Sequence, residues 1–195
     1  MVERYRQLLF VPVQQDAVLD STLLASALAG LGFIGKQIAT QWPQRFYIGN
    51  RFLQHLNFMG CAPALEFVPA DASRPDWSAF TFISLHDPWP TSRCLIDPMM
   101  AKPVCPQCGK RHALTEQVQL YLEMTLTCPH CQTHANLAKW DWREFGGCGR
   151  QFISIVNVYP KEALPTEDLL RQLHEVTRLE WRYFYMHGSL LDDSL

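Results

Sequence analysis

Four of the seven cysteines fall into two CxxC pairs, Cys105-Pro-Gln-Cys108-Gly109 and Cys128-Pro-His-Cys131, separated by residues 109–127. Two thiolates two residues apart can fold back onto one ion, and two such pairs at this distance have the spacing of a zinc ribbon. Pro106 and Pro129 pre-set φ for the tight turn of each knuckle, and Gly109 can take the positive φ that turns backbone N–H groups toward sulfur. Four thiolates fill a tetrahedral shell and leave no position for water or substrate, so the expected cofactor is one structural Zn2+ bound by Cys105, Cys108, Cys128 and Cys131. The same donors suit a rubredoxin-type iron, and ligand softness does not separate the two metals. A redox CxxC belongs between a strand and a helix, where neither pair lies, and a reducing compartment disfavours disulfides across the pairs. His112, His130 and His134 lie in or near the knuckles and are read as surface residues or as donors to the ligands.

Three cysteines remain, Cys61, Cys94 and Cys148. Cys94 and Cys148 bracket the ribbon, which raises a disulfide or a second site, but neither has a CxxC partner. Small buried apolar residues is the reading preferred for them. Other chemistry is sparse. No Walker A, GxSxG or HExxH pattern occurs, so the chain is expected not to be an enzyme. Gly30-Leu-Gly32-Phe-Ile-Gly35 has the letters of a dinucleotide fingerprint but follows a helical pattern, so its glycines are read as ending a helix. His86-Asp87 is an adjacent imidazole and acid at a strand end; with no nucleophile nearby in sequence, a turn before Pro88 is the preferred reading. An acid-base role would require both side chains to face one pocket.

The charges and aromatics of the ribbon point to a partner. The chain as a whole has 17 Lys+Arg against 19 Asp+Glu, a net charge of −2, so no global field draws it to nucleic acid or an anionic membrane. Residues 102–150 reverse the sign: Lys102, Lys110, Arg111, Lys139, Arg143 and Arg150 against Glu116, Glu123, Asp141 and Glu144. Lys110, Arg111, Lys139 and Arg143 are the candidate phosphate contacts. Trp140, Trp142 and Phe145 interleave with Lys139 and Arg143, a composition suited to stacking and phosphate contact, or to packing the ribbon against the rest of the chain.

These groups need a frame. The chain has 195 residues, 48% of them hydrophobic and 18% charged, enough for a packed core and unlike a disordered segment. The longest weakly polar run, Thr22 to Gly35, is shorter than the roughly 20 residues needed to span a bilayer, and the first residues lack a signal-peptide core. No membrane contact and a cytoplasmic location are expected. The proline-dense stretch from His86 to Cys105 reads as an irregular connector, and Gly146-Gly147-Cys148-Gly149 as a flexible exit. The expected division is a main domain of residues 1–100 plus 150–195 with an inserted ribbon of residues 101–149.

Inside the ribbon, Gln117 to Thr127 alternates apolar and polar residues and reads as its hairpin strand. Outside it, Leu8 to Val13 and Phe152 to Tyr159 are strand candidates, each followed by an acidic turn and a helix. Asp20 and Thr166 are the expected N-caps, with helices reaching about Leu31 and Arg178; Leu23, Leu24, Ala27, Leu28 and Leu31 in the first, and Leu169, Leu170, Leu173 and Val176 in the second, recur at helical spacing. Arg45 to Ile48, Ala64 to Val68, Ala79 to Leu85 and Trp181 to Met186 are further strands. The order predicts an α+β protein, a ferredoxin-like (split βαβ) sandwich with an inserted four-cysteine zinc ribbon.

The CPxCG…CPxC ribbon, Cys105 to Cys131, set between two strand-helix units, resembles the uncharacterised bacterial zinc-ribbon proteins provisionally described as nucleic-acid-binding. The resemblance implies that label without an established activity. Two roles follow from the residues: a non-enzymatic ribbon that contacts nucleic acid or a nucleoprotein, or a protein-protein adaptor, inhibitor or immunity-type module with a structural zinc and a protein partner.

Overall fold

Leu8, Leu9, Phe10 and Val11 form a continuous apolar run, and all four are fully buried, the mark of a strand covered on both faces. The computed structural model of the protein describes residues 5–39, 43–59, 65–97, 99–112 and 125–188. That run belongs to β1 (Tyr5–Pro12) and leads into α1 (Ser21–Gly30). Next come β2 (Ile34–Ala39), β3 (Gln44–Ile48), β4 (Leu56–Phe58), β5 (Phe82–Leu85) and β6 (Arg93–Ile96). The ribbon region holds β7 (Thr125–Thr127) and β8 (His134–Asn136), followed by β9 (Gly146–Gly149) and β10 (Ile153–Val156). The chain closes through β11 (Ala163–Pro165), α2 (Glu167–Thr177) and β12 (Trp181–Gly188).

The architecture is mixed α+β. Six strands form one sheet in the order β12-β1-β10-β5-β3-β2, with every neighbouring pair antiparallel. Three two-stranded pairs accompany it: β4 with β11, β6 with β9, and β7 with β8. Both helices cover one face. Leu24 and Leu28 of α1 and Leu169 and Leu173 of α2 pack in one cluster with Leu8, Phe10, Ile83 and Ile155 of the sheet. The helices start where their caps require: Asp20 accepts from the N–H groups of Thr22 and Leu23, and the Thr166 hydroxyl from that of Leu169. Leu23 and Val176, on helical spacing in the sequence, face solvent. The three glycines of the fingerprint-like run end α1, make a left-handed turn at Gly32 (φ 67°) and enter β2, so they cradle no phosphate.

The opposite face is also covered. Leu9, Val11, Phe152, Phe184 and Met186 pack with Trp89 and Leu95, and Tyr5, Phe80, Phe82 and Val156 with Trp77. Ser84, paired in register with Ser154 on the neighbouring strand, lies buried there with His86, and Ser84 Oγ, Ser154 Oγ and His86 Nε2 have no hydrogen-bond partner among the described residues.

Several sequence expectations change. The proline-dense connector contains β6, and the glycine-rich exit is the fully buried strand β9, paired with it. Its glycines let backbone lie against the main sheet: a Cβ on Gly147 would come within 2.5 Å of Phe184 Cε1, and one on Gly149 within 2.5 Å of Val11 Cγ2. Residues 65–68 form no strand, and the strand expected from Ala79 begins only at Phe82. Of the expected hairpin strand Gln117–Thr127, residues 117–124 lie outside the described residues and 125–127 form β7. Ala64 and Cys61 also lie outside them.

Candidate metal centre

The four CxxC cysteines converge, their sulfurs all within 4.8 Å of one another. Cys105 Sγ lies 3.6 Å from Cys131 Sγ, and Cys108 Sγ 3.7 Å from Cys128 Sγ. A tetrahedron with metal–sulfur bonds of about 2.3 Å has edges of about 3.8 Å, close to these two separations, so the cluster is compact enough to hold a metal ion. Cys105 and Cys128 are buried, and Cys108 and Cys131 lie at the surface. Among the described residues the cluster contains these four ligands and no histidine. His134 instead meets the Thr127 hydroxyl at 2.8 Å, and His112 packs edge-on against Trp140.

The two knuckles are built alike. In the first, Gly109 N–H donates to the Cys105 carbonyl, Cys105 N–H to that of Lys110, and Gln107 N–H to Cys105 Sγ at 3.4 Å. In the second, Gln132 N–H donates to the Cys128 carbonyl and Cys128 N–H to that of Thr133. Gly109 (φ 69°) and Gln132 (φ 60°) occupy the same left-handed position four residues after the first cysteine of each pair.

The electrostatics of the free sulfurs are uneven. The Thr133 hydroxyl, 3.3 Å from Cys131 Sγ, and the Thr133 backbone N–H pull that thiol down to about 6. At Cys108 the Lys110 backbone N–H favours the thiolate, but desolvation and the neighbouring sulfurs outweigh it and raise the thiol to about 11. Four clustered sulfurs cannot all ionise beside one another unless a cation is among them, and a divalent metal could supply that charge.

Behind the sulfurs sits a small core. Trp140 is 3% and Trp142 1% exposed, packed with Leu137, Ala135 and Ile96. Their indole N–H groups donate to the Ala135 and Leu137 carbonyls. These rings are therefore spent on the ribbon's interior and offer no stacking face; Phe145, half-buried, touches both this core and the main one. Cys94 and Cys148 are buried as expected, yet they are not free thiols: they oppose each other on β6 and β9 and form a disulfide, with Cα atoms 4.0 Å apart.

The four candidate phosphate contacts are all exposed and divide among three places. Arg111 and Arg143 line one cleft of ≈ 450 Å³. They meet because Val104 forms β-bridges to both Arg111 and Asp141, which aligns the first knuckle with the turn that carries Arg143. Lys139 lines a second cleft of ≈ 630 Å³ with Arg150, and Lys110 stands at the knuckle itself and lines neither. Two more cations line the first cleft: Lys102, which the sequence counts among the ribbon's charges without singling it out as a contact, and Lys161, which it missed. Lys161 follows β10, remote from the ribbon in sequence, so only packing reveals it.

His86 and Asp87 do not form an acid-base pair. His86 is buried, and burial, aided by the Arg45 charge, pushes its imidazole down to about 3. Asp87 is exposed and accepts from the Ser21 hydroxyl at 2.6 Å. No helix among the described residues is long and apolar enough to cross a membrane. In comparisons with family models, curated proteins and solved structures, the chain matches no family model, no curated protein and no solved structure.

Proposed function

We propose that the protein is a non-enzymatic zinc-ribbon protein that binds nucleic acid, or a nucleoprotein, through its ribbon. The four cysteines hold one structural Zn2+, and Lys110, Arg111, Lys139 and Arg143 contact phosphates. The observation that carries this reading is the meeting of Arg111 and Arg143 at one cleft beside a four-thiolate cluster. A ribbon fixed by a metal presents its cations in a constant arrangement, which lowers the entropy lost on binding. All four cations stand on a protein of net charge −2, so binding rests on this local patch. The frame is read as a ferredoxin-like sandwich: the order β12-β1-β10-β5, the crossovers through α1 and α2 on one face, and the ribbon between β5 and β10 support it.

The test has two parts. Elemental analysis of the purified protein should return one zinc per chain. Fluorescence anisotropy with labelled single- and double-stranded DNA and RNA should show affinity that falls as salt rises, and Arg111→Gln with Arg143→Gln should lower it. Absent or salt-independent binding overturns the nucleic-acid reading, and a stoichiometric protein recovered with the chain in place of nucleic acid favours the adaptor.

A further inference from the structure

The geometry points to the cleft between the ribbon and the turn that joins β10 to β11 as a phosphate-binding site in which Lys161, from that turn, and Lys102 complete a set begun by Arg111 and Arg143. This inference rests on the nucleic-acid reading for the source of the phosphate, not for the chemistry of the site. Four cations and one carboxylate, Glu144, line the cleft, and Met100, Trp142 and Phe145 supply its apolar wall. A second carboxylate, Asp141, holds Arg143 through Nε at 2.9 Å. Lys161 Nζ meets Glu144 at 3.2 Å, while among the described residues Lys102 and Arg111 have no carboxylate partner. The site is therefore cationic after both acids are counted.

Two further features single out this cleft. Arg143 (φ 54°) and Lys161 (φ 66°) both sit on left-handed backbone, where glycine or asparagine is the low-energy choice. Two separate turns thus place long cations, at a local cost, facing the same space. The cations also come from both sides of the seam: Lys102, Arg111 and Arg143 from the ribbon region, Lys161 from the turn between β10 and β11. A phosphate held here is gripped by both parts at once, and a cleft of ≈ 450 Å³ admits a nucleotide-sized group.

Glu144 has a defined part in this arrangement. Its carboxylate occupies the ammonium of Lys161 until an anion competes for it. The pair is exposed, with side chains 63% and 54% accessible, so the exchange carries little cost. Glu144 thereby selects against weak anions and leaves Lys161 for a phosphate that Lys102 and Arg111 also hold.

The experiment measures binding of the full-length, metal-loaded protein to a 5′-phosphorylated single-stranded oligonucleotide by anisotropy, and to ADP and tripolyphosphate by calorimetry. Lys161→Gln and Lys102→Gln should each weaken binding about fivefold and lower the salt slope by about one. Glu144→Gln should tighten it, and Lys36→Gln, on the far edge strand β2, should change nothing. Equal melting temperatures confirm that the exposed substitutions leave the fold intact. Oligonucleotide binding that responds in this way supports the site with a nucleic-acid strand as its source. Binding of ADP or tripolyphosphate alone, lost in Lys161→Gln, keeps the site and overturns the nucleic-acid reading. Oligonucleotide binding unchanged in Lys102→Gln, Lys161→Gln and Glu144→Gln overturns the site and leaves that reading standing. No binding of any probe overturns both.

Discussion

The carboxylate of Asp97, fully buried at the end of β6, accepts from the backbone N–H of His187 on β12 at 2.9 Å, and Nδ1 of the same residue lies 2.6 Å away. Its other oxygen accepts from the N–H groups of Met99 and Met100, each at 2.9 Å. One carboxylate thus ties the root of the ribbon to an edge strand of the main sheet, immediately beside the cationic cleft. Asp97→Ala leaves three backbone donors and an imidazole without their acceptor and is expected to cost about 3 kcal/mol. Urea denaturation of the two proteins reads this as a lowered midpoint; a shift within a few tenths of a kcal/mol would show that the ribbon docks through its apolar contacts alone.

The Cys94–Cys148 bond closes a loop with a sequence separation of 54 residues. Chain-entropy reasoning gives a stabilisation of about 4 kcal/mol for a loop of that size. After chelation and denaturation without reductant, alkylation should leave Cys94 and Cys148 unlabelled, and a Cys94→Ala/Cys148→Ala protein should melt earlier. Alkylation of both residues would contradict the bond.

His86 makes stability depend on pH with a definite sign. Its folded imidazole titrates near 3 because it is desolvated and faces the Arg45 charge, whereas the unfolded residue titrates near 6.5. Between these values the unfolded chain holds a proton that the folded chain does not. This contribution is therefore full above pH ~6.5 and declines by about 1.4 kcal/mol per unit as pH falls, until the folded group protonates near 3. Denaturation midpoints from pH 7 to pH 4.5 should converge less steeply in His86→Leu than in the parent. Parallel curves would remove His86 from the account.

The two knuckles allow a paired substitution. Gly109 and Gln132 hold the same left-handed position, and a Cβ at Gly109 meets nothing within 4 Å, so only its backbone conformation is at stake. Gly109→Ala should cost about 1 kcal/mol, and Gln132→Gly should be neutral or stabilising. Competition with a chelator reports both as changes in metal retention; equal losses in the two variants would mean that the turns are not equivalent.

What could be read along the chain is what neighbours along the chain decide. CxxC spacing turns two sulfurs toward one point through a local turn, and Asp20 and Thr166 cap helices whose first N–H groups are only two or three residues away. The strand expected from Trp181 to Met186 likewise lies within β12, where the alternating Trp181, Tyr183 and Tyr185 pack in one cluster with the helices. Packing between distant segments decided the rest. Cys94 and Cys148 became partners because β6 and β9 pair in a register that no sequence signal announced. The glycines that looked like a flexible exit form a buried, paired strand because Phe184 and Val11 lie against it. Trp140 and Trp142 have the composition of a stacking surface, yet a small module needs large side chains to fill its interior, and both rings are drawn inward with Leu137, Ala135 and Ile96. The cleft shared by Lys102, Arg111, Arg143 and Lys161 is of the same kind: charge can be counted in a sequence, but whether charges converge depends on how two surfaces meet.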